Sequence, residues 1–134
     1  KDDRFFVIGG APKDNVSQTV YEYTADFEFV AKHELKTGWL NLGIQTVDFQ
    51  DGRFVFGSYG SRKDGPGRGR STFVTPPDLS SVEFVSGPPV SEGIVRLKDK
   101  TWRARIHCLN QSEDYSRRVY WSWLEPVDLP IAGK

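Results

Sequence analysis

Methionine is missing from all 134 residues, and cysteine occurs once, at Cys108. A lone cysteine excludes an intrachain disulfide. Metal ligands are as scarce. His33 and His107 are the two histidines, no CxxC or HxxxH spacing occurs, and so no metal site is expected. Without Met at position 1, the chain is expected to be a processed form, a fragment or a chain whose start has been removed. No apolar run approaches the length of a membrane-spanning helix, and no signal peptide is expected. A membrane partner is therefore not expected. Net charge is lacking too: 18 basic residues balance 18 acidic ones. That neutrality speaks against general nucleic-acid binding, which needs a basic footprint.

Catalytic motifs are equally thin. Ser58 and Ser61 do not lie in G-x-S-x-G, and neither histidine has triad partners at a recognisable spacing. His107 and Cys108 are neighbours on one strand, where side chains point to opposite faces, so they do not form a catalytic pair. Asp48 and Glu92 could approach one cleft as paired carboxylates, although surface or turn-stabilising roles are the simpler reading. No catalytic residue and no cofactor is assigned.

What the chain does have is aromatic residues, glycine and proline, a mix that suits an all-β protein with many turns. Its length fits one domain with a real core. The clearest element is Gly43–Gly60, GIQTVDFQDGRFVFGSYG, where two alternating runs flank Asp51-Gly52. A D-G pair between period-2 runs predicts a hairpin, because the turn needs φ > 0 and glycine accepts it freely. Alternation sets Ile44, Thr46 and Asp48 on one face and Gln45, Val47 and Phe49 on the other, with Phe54 and Phe56 together across the turn.

Further strands are expected at Arg4–Gly10, Gln18–Thr24, Phe27–Leu35, Ser71–Thr75, Val82–Ser86, Gly93–Leu97, Thr101–His107 and Arg117–Leu124. A turn is expected at Ala25-Asp26, and polar loops at Ala11–Ser17 and Leu109–Ser116. The tail from Glu125 is expected to wrap over the surface or fray.

The strands repeat. Arg4-Phe5-Phe6-Val7 aligns with Arg53-Phe54-Val55-Phe56, and Thr101-Trp102-Arg103-Ala104 follows at a similar interval. The following strands recur at Thr19–Tyr23, Thr72–Thr75 and Val119–Ser122, and Gly43 and Gly93 each open a first strand. The unit is four short antiparallel strands in just under about 50 residues, the period and strand count of a β-propeller blade. Units are expected at about 1–42 (partial), 43–92 (complete) and 93–134 (partial) within a single domain. The alternative architecture is one up-and-down β-barrel, or a β-sandwich, around a small apolar ligand.

The phrases DRFFVIGG, VYEYTADFEFVAKHEL and GIQTVDFQDGRFVFGSYG resemble blades of secreted bacterial β-propellers. The resemblance covers Asp3–Gly60 closely and Ser71–Leu124 in pattern. It implies a fold and an extracytoplasmic location, and leaves the activity open between lectins, glycosidases, lyases and scaffolds. Asp99–Trp102 also resembles the tail of the sialidase Asp-box, without its serine and glycine. Fewer than three blades are present where a propeller needs roughly four to eight, so either a homo-oligomer or blades on another chain are expected to complete the ring.

Charge is uneven along the chain. Lys1–Asp51 holds five basic and nine acidic residues, Arg62–Arg105 nine basic and five acidic. Solvated strand faces explain this, and so does an anionic ligand over the basic half. Ser61–Arg70, SRKDGPGRGR, lacks the GK[ST] of a phosphate loop, yet Arg62, Lys63, Arg68 and Arg70 suit a carboxylate or phosphate. Trp39 and Tyr59, at the ends of the hairpin, are candidate sugar-stacking platforms. Trp121 and Trp123 share one strand face and are expected in a core or interface. The expected function is a non-enzymatic binding or scaffold module presenting loops to a carbohydrate or anionic ligand. The alternative is a glycosidase-like propeller enzyme.

Overall fold

The structure, a computed structural model, describes residues 3–9, 16–40, 43–58, 62–65, 67–86, 90, 93–96, 103–110 and 120–126, with backbone pairing alone beyond residue 94. The described residues form ten strands and no helix. The strands are β1 (Arg4–Ile8), β2 (Gln18–Thr24), β3 (Phe29–Leu35), β4 (Ile44–Gln50), β5 (Arg53–Ser58), β6 (Thr72–Thr75), β7 (Glu83–Val85), β8 (Ile94–Arg96), β9 (Arg103–Asn110) and β10 (Tyr120–Pro126). They make three antiparallel meanders, β1-β2-β3, β4-β5-β6-β7 and β8-β9-β10. Each contains strands of one expected sequence unit, and the middle unit has all four.

The hairpin at Asp51-Gly52 forms with φ of 51° and 76° at the two turn residues. Positive φ at both positions is the primed turn whose twist matches the flanking strands. One detail departs from simple alternation. The β4–β5 register slips between Ile44 and Thr46. The bulge adds one residue to β4 and turns Ile44 over, so that Ile44 packs in the same core as Val47 and Phe49.

Phe27 and Glu28 stand outside β3, because the chain passes through φ 62° at Phe27 before pairing begins. In the third sheet β9 runs on to Asn110, into the stretch expected as loop, and β10 takes in Glu125 and Pro126, expected in the tail. Pro126 is tolerated because β10 is an edge strand.

The sheets stack face to face. Residues opposite each other in the register share a face, so Phe49 and Phe54, Val47 and Phe56, and Phe73 and Phe84 line one side of the middle sheet. That side meets Phe6, Ile8, Val20 and Leu35 of the first sheet, with Leu40 and Leu79 closing the core. The other side carries Val55, Val74 and Val85, which pack against Val90 and Ile94 at the start of the third unit. Burial on both faces explains why Phe54, Val55 and Phe56 of β5 read as a continuous apolar run, and why all four residues of β6 are buried.

The barrel alternative is not what forms. β3 and β4 fall in different sheets, as do β7 and β8, and among the described strands no pairing links one sheet to the next. The physical reason is that both faces of the middle sheet are apolar, so face-to-face stacking buries more than edge closure would.

Gln18 is the conspicuous polar residue of the first core. It is fully buried, opposite Leu35, and neither its amide nitrogen nor its amide oxygen has a hydrogen-bond partner. An unmade buried hydrogen bond costs about 1–3 kcal/mol. Gln18→Leu is therefore expected to raise stability by about 1–2 kcal/mol, measured by urea unfolding. A loss of stability would show that the amide is held by a partner.

Candidate functional site

The basic loop is a built structure. It closes as a small hairpin in which the Arg62 N–H donates to the Arg70 carbonyl at 2.9 Å and the Gly69 N–H donates to the Arg62 carbonyl at 2.8 Å. Inside it, Arg68 donates to the Gly65 carbonyl at 3.1 Å and Arg70 to that of Gly67 at 2.9 Å. Gly67 is needed twice over. Its φ is +86°, and a Cβ there would lie 2.4 Å from the Phe84 Cβ. The loop thus lies directly on β7.

That placement fixes where the guanidinium groups go. Arg62 passes beside Gly38 and Gly65 and puts its guanidinium 5.2 Å from the centre of the Phe84 ring. Arg70 donates through Nη1 to the Phe84 carbonyl at 2.8 Å. Both border one recess of about 240 Å³, together with Gly67, Val82, Glu83 and Phe84. Glu83 brings a carboxylate to the rim, but Arg53 pairs with it at 3.2 Å.

The other candidates separate. Lys63 sets its ammonium 4.0 Å above the Trp39 ring, so one face of that indole already holds a cation. Arg68 is exposed on the outer turn of the loop. Tyr59, Glu92 and Asp99–Trp102 lie outside the described residues. Asp48 is engaged locally, accepting from the Phe49 N–H at 2.8 Å and from the Gln50 amide. His107 and Cys108 are paired by register with Trp123 and Ser122.

A polar cluster that the spacing of the sequence did not announce sits on the inner face of the first sheet. The Glu22 carboxylate accepts from His33 Nε2 at 2.9 Å and faces Arg4 Nε at 3.8 Å. The cue was available only through register, since Val20 opposes His33 and Glu22 opposes Ala31, which makes Glu22 and His33 diagonal neighbours. Close by, Asp78 takes the hydroxyl and the backbone N–H of Ser80, which hold its carboxyl below the usual range. These groups fix the turn that carries Leu79 into the core at φ 58°. Among the described residues, no group of three potential ligands is placed to hold a metal ion, and no helix is long and apolar enough to cross a membrane.

Compared with known proteins, the chain matches no family model, no curated protein and no solved structure.

Proposed function

We propose that the chain is a non-enzymatic binding module of propeller-like build, and that its ligand carries a carboxylate or phosphate. The observation that supports this is the convergence of Arg62 and Arg70 on one recess, fixed there by a hydrogen-bonded loop. A rigid loop matters because the ordering of the arginines precedes binding and does not have to be supplied by the ligand. Guanidinium groups match planar or tetrahedral oxyanions through paired N–H donors. A neutral sugar is the weaker candidate, since Lys63 occupies one face of Trp39. The propeller-like build is supported by three stacked meanders that follow the sequence repeat. It is also the reading under which a loop between the second and third strands of a unit is free to present a site.

The test is an NMR titration with inorganic phosphate, with glucuronate and with glucose. The expected result is shifts confined to 62–70 and 82–84 for the two anions and none for glucose. Arg70→Ala is expected to weaken anion binding about tenfold, the value of one charge-assisted contact. Affinity unchanged in Arg70→Ala, or no response to either anion, would overturn the reading.

A further inference from the structure

Two arginines border the recess, and they are held differently. Arg62 is packed. A Cβ at Gly38 would lie 2.7 Å from its Nη2, and one at Gly65 would lie 2.8 Å from the same atom. On a third side its guanidinium lies 5.2 Å from the centre of the Phe84 ring, and its Nε is buried. A guanidinium enclosed by two backbone segments and a ring fastens those elements to one another: the connection after β3, the loop and β7.

Arg70 is exposed. Among the described residues its one side-chain hydrogen bond runs from Nη1 to the Phe84 carbonyl at 2.8 Å. The outer edge of β7 supplies that anchor. The Ser58 N–H donates to the Ser71 carbonyl at 2.8 Å, so by alternation Phe73 also turns its backbone groups toward β5, while Thr72 and Val74 turn theirs toward β7. Phe84, opposite Phe73, therefore directs its carbonyl away from the sheet, where Arg70 takes it. The backbone of Arg70 is fixed as well, its N–H donating to Gly67 at 2.9 Å and its carbonyl accepting from Arg62 at 2.9 Å. With Nη1 committed, the paired donors that Arg70 offers a ligand are Nε and Nη2.

We propose that the recess takes a carboxylate, bound side-on by Nε and Nη2 of Arg70, and that Arg62 is a positioning residue that does not touch the ligand. The proposal rests on the anionic-ligand reading and narrows it. One guanidinium edge matches the two oxygens and the single charge of a carboxylate. A phosphate brings a charge of about −1.5 to −2 and three acceptor oxygens, which one edge leaves undercompensated. A carboxylate also carries a carbon substituent, for which Val82 on the recess wall is an apolar neighbour.

The test is affinity for glucuronate and for inorganic phosphate at neutral pH, by NMR titration. The wild-type chain is expected to bind glucuronate about threefold more tightly than phosphate, or better. Its Phe84 carbonyl carbon shift, which reports the bond from Arg70, is expected to stay in place as glucuronate is added. Arg70→Gln is expected to move that shift and to weaken glucuronate about tenfold. Arg62→Ala is expected to do both as well, because it frees the loop. Arg62→Met restores length and contact with the Phe84 ring without the charge, and is expected to return the shift and bring affinity within about twofold of wild type. Arg62→Lys restoring affinity where Arg62→Met does not would make Arg62 a ligand contact and overturn its positioning role. Phosphate bound as tightly as glucuronate, or a Phe84 shift that moves with glucuronate, would overturn the side-on carboxylate and leave the anionic ligand standing; both are read on the wild-type chain, whatever the variants do. No response to either anion would overturn the ligand reading itself, and this one with it.

Discussion

Phe73→Ala is expected to lower folding stability by about 3–5 kcal/mol, the range for emptying a fully buried phenylalanine site. Phe73 has no exposed surface. Its ring lies 4.9 Å from that of Phe56 and 5.2 Å from that of Phe84, so the deletion opens the row of rings at its middle. The neighbours are poorly placed to fill the space. Phe56 and Phe84 are held on β5 and β7, which flank β6 in the sheet, and Gly67 rests on Phe84 from outside. A cavity that cannot collapse costs both the lost transfer energy and the lost contacts along its walls. Phe73→Leu keeps most of the volume and is expected to cost less than half as much. Urea unfolding of the two variants measures both effects. A Phe73→Ala loss under about 1 kcal/mol would mean that the two sheets do not share this core.

The row of rings also shows what the sequence allowed to be read. Its alternation located β2 to the residue and most strands to within two, because apolar period and turn chemistry are local properties. The Asp51-Gly52 turn is the clearest case, its two positive φ angles following from residue type alone. The flip of Ile44 was not legible, since a bulge changes the parity of a strand without changing its composition. Nor was Glu22–His33, a pair eleven residues apart that meets only once β2 and β3 are in register. For the candidate site, residue types identified the basic loop but not its order. The loop reads as broken by glycine, yet Gly65, Gly67 and Gly69 are the positions where its turns need positive φ. Trp39 and Lys63 were singled out separately, and the structure joins them as one cation–π pair. Contacts of this kind depend on where the loop lands, which spacing along the chain does not encode.

Gly57 sits at the joint between the second and third sheets, directly under Val90. Gly57→Ala is expected to cost about 3 kcal/mol, the upper range for forcing atoms into a packed interior. A Cβ at Gly57 would lie 2.4 Å from the Val90 carbonyl oxygen, 2.8 Å from its carbon and 2.6 Å from Thr46 Cγ2. A flexible side chain would swing aside, but the Val90 contact is backbone. Val90 is itself buried in the cluster with Val55, Val74, Val85 and Ile94, so moving its carbonyl drags the lead into β8 away from the middle sheet. Gly52→Ala separates this steric effect from glycine's conformational freedom. Gly52 has φ +76° and open space around it, and its substitution is expected to cost only the left-handed strain, about 1 kcal/mol. The location of the damage is as informative as its size. Hydrogen exchange in Gly57→Ala should rise first at Ile94–Arg96, while β1–β3, packed on the opposite side of the middle sheet, keep their protection. Equal losses in all three sheets would show that the stack unfolds as one unit. Loss in the third sheet alone would make Gly57 the point at which that sheet is held to the rest.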